Sequence, residues 1–181
     1  MRYINSIKEE QKESSLDFVK QVFIDSEGEQ EGNLVKNLIK EIRSKKYYLP
    51  ELEIVMTNEN NEIIGYCMFS RFHIEGRYDN ELLLLSPVAV KTELQRQHIS
   101  KEIIEYGFKK AKELGYKVCM VEGNPSNYKS RGFKTSQDYN IYANEKVGLP
   151  APECLMVKEL VEGALEHMHG YIDYDMYETL V

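Results

Sequence analysis

The stretch LLLLSPVAVKTELQRQHISKEIIEYGFKKAKELGYKVCMVEG, residues 82–123, decides how the chain folds. It opens with Leu82 to Val90, an almost unbroken apolar run of the kind that forms a strand buried on both faces. It closes with a second such run, Tyr116 to Val121. Between them SKEIIEYGFKKAKELG carries the marks of an amphipathic helix. Ser100 serves as its cap, Glu102 sits in the first turn, Ile103, Ile104, Phe108, Ala111 and Leu114 turn inward, and Gly115 follows the last turn. Strand, helix and strand in this order require parallel strands joined by a right-handed crossover. The helix amino end therefore lies at the carboxyl end of the strands. Ser86-Pro87 interrupts the first run, and because proline donates no ladder hydrogen bond, a bulge is expected there. Such a bulge frees the backbone of Val88, Ala89 and Val90 for a ligand.

Working outward, the first third shows apolar residues at helical spacing: Leu16, Val19 and Phe23, then Leu34, Leu38, Ile39 and Ile42. Two amphipathic helices are expected, separated by a loop over IDSEGEQEGN, with Pro50 closing the second. Leu52 to Met56 and Ile63 to Ile74 read as antiparallel strands joined by the polar turn NENNE. After the crossover unit, GNPSNYKSRGFK reads as a loop, and strands are expected at Tyr139 to Ala143 and Leu155 to Leu160. No repeat, low-complexity stretch or linker divides the chain, so residues 1–181 read as a single mixed α/β domain.

With 42% hydrophobic and 29% charged residues, the composition is that of a globular chain with one core. No run approaches the roughly 18 apolar residues of a membrane helix, and the opening MRYINSIKEEQ lacks the apolar heart of a secretory signal. A soluble, cytoplasmic protein with no membrane partner is expected. Cys67, Cys119 and Cys154 are odd in number and widely spaced, which fits reduced thiols rather than a disulfide framework or a zinc site. His167 and His169 lack a carboxylate or cysteine at ligand spacing, so no metal is expected.

The net charge is −7, yet residues 91–136 hold ten basic residues against five acidic. An otherwise acidic chain does not offer the broad basic face that nucleic acid requires. A small anion is the better partner, and the place for it is the turn KTELQRQHIS. Successive amides there, backed by the helix dipole, suit a phosphate or diphosphate, and Arg96 and Lys101 add full charges. The chain has no G-x-G-x-x-G, no Walker lysine loop and no G-x-S-x-G elbow.

These residues together resemble the GNAT (Gcn5-related) N-acetyltransferases. LLLSPVAV looks like the family's bulged fourth strand, QRQHIS like its Q/R-x-x-G-x-G/A pyrophosphate turn, and KEIIEYGFKKAKELG like the helix that follows. YKVCMVEG looks like the fifth strand and NYKSRGF like the tyrosine-bearing terminal motif. The tail from LPAPECLMVKEL onward is similar to a bacterial branch of predicted acetyltransferases. The resemblance implies the GNAT fold: a mixed, mostly antiparallel sheet with a central parallel pair splayed around the cofactor, and helices on both faces.

It also implies acetyl-CoA as cofactor, with Val88, Ala89, Val90 and Asn124 along the pantetheine arm and Gln95, Arg96, Gln97, His98, Ile99, Ser100 and Lys101 at the diphosphate. Tyr128 matches the family's general acid, which returns a proton to the thiolate, and its hydroxyl belongs near the sulfur. A base is needed for an alkylamine, for which Glu53, Glu81 and Glu122 are candidates, with Glu122 at the end of the fifth strand taken as the base. The expected activity is acetyl transfer to a primary amine of a small molecule or peptide, and the sheet edges leave a homodimer open. The sequence departs from the pattern at His98 and Ser100, where glycine and then glycine or alanine are usual. A noncatalytic GNAT-fold binding or regulatory protein with a degenerate cofactor loop is therefore the alternative.

Overall fold

The computed structural model describes residues 1–180, which fall into two compact units. The first comprises Met1–Ser70, Ser86–Lys110 and the C-terminal residues from Tyr177, and the second comprises Arg71–Leu85 and Ala111–Met176. The sheet is mixed and mostly antiparallel with one parallel pair, as expected.

In the first unit, strand β1 (Arg2–Ser6) precedes helices α1 (Lys12–Glu27) and α2 (Glu29–Arg43). β1 was not expected, since RYINS lacks a clean apolar alternation. Pairing decides it: Arg2 to Ser6 run antiparallel to the next strand in unbroken register. The expected ten-residue loop between the helices shrinks to Gly28 alone, at φ +97°, a conformation only glycine adopts without cost. The acids that suggested a loop, Glu29 and Glu31, occupy the first turn of α2, where the helix dipole favours them. The second helix also ends earlier than expected, at Arg43, and Pro50 instead opens a short 3-10 turn before strand β2 (Glu53–Asn58).

β2 pairs antiparallel with β3 (Ile63–Arg71) through the expected turn, where the Asn58 side-chain oxygen accepts from the Asn60 and Glu62 amides at 3.0 Å. Strand β4 (Leu82–Val90) contributes Ser86–Val90 to this unit beside β3, and carries a cis Ser86–Pro87 peptide. Helix α3 (Ile99–Glu113) packs Ile99, Ile103 and Ile104, all at most 1% exposed, into the core. Tyr177 returns to this unit, its ring edge-on to Tyr47 at 5.5 Å, while the Glu178 and Thr179 amides donate to the Glu41 carboxylate at 2.7 Å each.

The second unit holds Leu82–Leu85 of β4 and strand β5 (Val118–Glu122), paired in parallel over Leu82↔Val118, Leu83↔Cys119 and Leu84↔Met120. α3 ends here in a Schellman motif: the Gly115 amide donates to the Lys112 carbonyl and the Tyr116 amide to the Ala111 carbonyl, both at 3.0 Å. Leu114, expected to face inward, is 46% exposed. The stretch expected to be a loop contains a short helix α4 (Pro125–Tyr128) and a 3-10 turn over Lys129–Arg131.

Further on come β6 (Lys134–Thr135), β7 (Ile141–Ala143), β8 (Leu155–Glu159) and β9 (Gly170–Ile172). β8 lies antiparallel between β5 and β6, and β7 pairs with β9 as a parallel ribbon. Cys67 and Cys119 are buried free thiols and Cys154 is half-buried. Among the described residues, no helix is long and apolar enough to cross a membrane and no cluster of ligating side chains suits a metal ion.

Gly107 brings α3 close against Phe69 of β3 and Ile54 of β2. A methyl group there would strike the Phe69 ring and approach Ile54 to 3.0 Å. Replacing an exposed mid-helix glycine by alanine gains about 1 kcal/mol. In this site overpacking should reverse the sign, so Gly107→Ala is expected to lose about 1–3 kcal/mol in urea unfolding. A stabilised variant would show that α3 does not press on Phe69.

Candidate functional site

The turn that carries the basic residues is built from β4 into α3. Lys91 closes the strand with its amide on the Ile64 carbonyl at 2.9 Å, and Thr92–Leu94 form a 3-10 turn. Arg96 and His98 then both adopt left-handed backbone, at φ +66° and +65°. His98 is thus in the conformation for which glycine is usual, and its residue is exposed rather than packed against the turn. Its carbonyl accepts from the Glu102 amide at 3.0 Å, so the helix begins at Ile99. Ser100, expected as the cap, lies within the first turn instead.

Ile99 fixes this entry against the sheet. It is 1% exposed, and a methyl group on Gly65 of β3 would come within 2.8 Å of its side chain. Three further ties brace the turn from distant parts of the same unit. Arg2 of β1 donates to the Gln97 side chain at 2.9 Å, Thr92 donates to Asp25 of α1 at 2.9 Å, and Lys91 pairs with Glu62 of the hairpin at 3.9 Å. Gln95 reaches back to the Val90 carbonyl at 3.4 Å. Two left-handed residues flanking Gln97 curve the chain at the positive end of a 15-residue helix, with Arg96 and Lys101 exposed beside it. That arrangement suits an anion with several oxygens, such as a diphosphate.

In the second unit, Glu122 ends β5 and Tyr128 ends α4. The Gly123 amide donates to the Cys154 carbonyl at 2.9 Å, and Asn124 caps α4 by accepting from the Ser126 amide at 3.0 Å. Asn124 therefore shapes the Asn-Pro turn. A methyl group on Gly123 would lie 2.6 Å from the Tyr128 ring, so glycine lets that ring lie flat against the chain. The ring also meets Phe133 edge-on at 5.8 Å and 85°. Tyr128 is half-buried.

The three carboxylates weighed as a base are in very different places. Glu53 is fully buried, and it accepts from Arg43 Nη2 at 2.7 Å, from Tyr48 at 2.6 Å and from Tyr66. It is neither a solvated strand residue nor free to take a proton from a substrate. Glu81 is tied to Lys117 at 3.3 Å and to His167 at 3.2 Å. Glu122 is exposed and accepts from the Tyr174 hydroxyl at 2.7 Å, with no ion-pair partner among the described residues. Neither Arg2 nor Tyr174 could be found by sequence: each lies more than 50 positions from its partner, 95 and 52 respectively, and no local pattern marks them.

The profile of the acetyltransferase (GNAT) family matches residues 17–137. The chain is 25% identical over 124 residues to the uncharacterized N-acetyltransferase YhbS of Escherichia coli (strain K12), which covers 68% of this chain and 71% of that protein. The crystal structure of Escherichia coli YhbS in complex with CoA matches with a TM-score of 0.77 at 19% identity, over 94% of this chain and 87% of that one. A GNAT family acetyltransferase from Brucella melitensis in complex with acetyl-CoA matches with a TM-score of 0.60 at 24% identity, over 74% and 83%. At these identities the structural likeness speaks for the fold.

The Glu53 cluster makes a prediction about alkaline stability. Burial first, and then the Glu53 carboxylate, hold the phenols of Tyr48 and Tyr66 above their ordinary value of 10, with Arg43 offsetting part of the rise. An unfolded chain releases these protons near pH 10 while the folded chain keeps them. Their contribution is therefore whole below about pH 10 and shrinks as pH rises beyond it. Urea midpoints should fall above about pH 10, and less steeply in the double variant Tyr48→Phe, Tyr66→Phe. An identical decline in both proteins would show that these phenols titrate freely.

Proposed function

Because this chain belongs to the GNAT family of acetyltransferases, we propose that it transfers the acetyl group of acetyl-CoA to a primary amine of a small molecule or peptide. The observation that carries this reading is the left-handed backbone of His98 at the entry to α3, the glycine-like conformation of the family's turn held by a non-glycine residue. The noncatalytic alternative depended on histidine and serine distorting that turn. The exposed imidazole and the regular start of α3 favour the catalytic reading over it.

The residues fit the cofactor in kind. Main-chain amides from Gln95 to Lys101, with the charge of Arg96 and Lys101, would hold the diphosphate, and the backbone of Val88, Ala89 and Val90 would serve the pantetheine amides. When bound, acetyl-CoA supplies an activated acyl thioester. Amides of β4 then donate to the acyl carbonyl, where they are worth most in a dry site.

Nitrogen loses two protons as the nitrogen–carbon bond forms, and sulfur gains one as the carbon–sulfur bond breaks. An alkylammonium has an ordinary pKa near 10.4, so it must first be deprotonated. Glu122 takes that proton, directly or through water, with the Tyr174 hydroxyl holding the carboxylate in place at 2.7 Å. The Tyr128 hydroxyl would give its proton to the departing sulfur and recover one, through solvent, from the newly bonded nitrogen. Contacts with Gly123 and Phe133 support its ring.

Calorimetry with acetyl-CoA tests the turn: binding is expected, and its absence at millimolar cofactor would overturn the enzyme reading. Tyr128→Phe should lower kcat by about 10²–10⁴-fold while leaving acetyl-CoA affinity nearly unchanged. Glu122→Gln should lower kcat/KM at neutral pH and recover part of it as the pH approaches the amine's own pKa, because the free base then arrives without help. Full activity of either variant at neutral pH, followed by thiol release, would remove that residue from the mechanism.

A further inference from the structure

The second unit contains a cavity of about 270 Å³ that neither the turn nor the tyrosine motif uses. Its walls come from the 3-10 turn after β6, from β7, and from the chain between β7 and β8. Ile141, Val147, Leu149 and Leu155 supply apolar surface, and Glu145 is the one charged residue among those that line it. The backbone around it is fixed. β7 is paired to β9, and beyond the ribbon the Asn144 amide donates to the Ile172 carbonyl at 2.8 Å.

Two observations tie this cavity to acyl transfer. Leu155, part of its wall, lies directly opposite Glu122 in the antiparallel β5–β8 register. Residues so paired share a face of the sheet with Cβ atoms about 4.5–5.5 Å apart, so the carboxylate read above as the base stands beside the cavity wall. The hydrogen bond from the Gly123 amide to the Cys154 carbonyl continues that pairing by one residue toward Asn124 and Tyr128. Val147 and Leu149 also stay half-exposed on a segment without regular structure, where a connecting loop would ordinarily be polar.

We propose that this cavity is the acceptor pocket, and that the acceptor is a small cationic primary amine on an apolar arm, aliphatic or aromatic, with no carboxylate. The inference rests on the acetyltransferase reading and narrows it. The apolar walls take the arm, and Glu145 and Glu122 favour the ammonium end. With no lysine, arginine or histidine in the lining, a carboxylate on the acceptor would meet negative charge and nothing to offset it. The volume falls just below the range of about 300–1,000 Å³ common for drug-sized ligands, which suits a small amine better than a peptide chain or an oligosaccharide.

The test uses the full chain with acetyl-CoA and a panel of acceptors: 2-phenylethylamine, hexylamine, ethanolamine and phenylalanine. Phenylalanine carries the arm of 2-phenylethylamine plus a carboxylate, so the ratio of their kcat/KM values reads that group alone. A preference of at least about tenfold for the amine is expected. Glu145→Gln should raise KM for 2-phenylethylamine without changing acetyl-CoA affinity, and Leu149→Ser should erode the preference for 2-phenylethylamine over ethanolamine. Equal use of phenylalanine, or both variants behaving as the parent, would overturn the proposal.

Calorimetric binding of 2-phenylethylamine to the parent and to Leu149→Ser separates this failure from that of the enzyme reading. If no amine is acetylated, the function proposed above falls, yet binding lost in Leu149→Ser still supports the pocket. Absence of binding to the parent overturns the pocket whatever the activity.

Discussion

A carboxylate at 0% exposure organises the first unit. Glu53 begins β2, and Arg43 from the end of α2 reaches it through Nε and Nη2 at 2.7–3.2 Å. Arg43 spends its other donors on the Ser15 hydroxyl and the Lys12 carbonyl of α1, while Tyr48 and Tyr66 bring in the connection to β2 and the neighbouring β3. One buried charge thus binds both helices and two strands. Such a pair offers little net stability over a well-packed apolar cluster, because both ions give up water. Its effect is on specificity: an unpaired buried carboxylate is so costly that α1, α2 and β2 are held to the one arrangement that satisfies it.

The turn into α3 depends on a second constraint, steric rather than electrostatic. Ile99 wedges the start of α3 against Gly65, and this fixes where the helix begins. With that end pinned, the chain leaving β4 has few residues in which to reverse, and Arg96 and His98 take up left-handed backbone to do it. A non-glycine residue adopts that conformation at a modest energetic cost, which the packed helix behind it and the ties to Arg2, Asp25 and Glu62 offset. Glycine at position 98 would relieve strain. Its absence shows that the shape of the turn is set by what surrounds it.

Much of this was legible in residues 82–123. Apolar runs long enough for buried strands, a capped amphipathic helix between them and a basic turn at its amino end placed the parallel pair, the helix and the turn between them where the structure has them. Helix and strand boundaries were less so. The acids of 27–31 looked like a loop because polarity and glycine signal turns, yet at a helix amino end the same acids are favoured. β1 was invisible because an edge strand with one weakly buried face carries little alternation, and only its partner β2 makes it a strand. The candidate base followed the same logic: position suggested three glutamates, and burial or ion pairing in the fold left Glu122 as the exposed one.

Local chemistry therefore set the two buried strands, the capped helix between them and their order, because these depend on neighbours within a few residues along the chain. Tertiary structure decided which charges are neutralised, which residue braces the turn and which carboxylate faces solvent. Those outcomes depend on groups such as Arg2 with Gln97, Arg43 with Glu53 and Tyr174 with Glu122, whose separations in sequence carry no energy until the chain has folded.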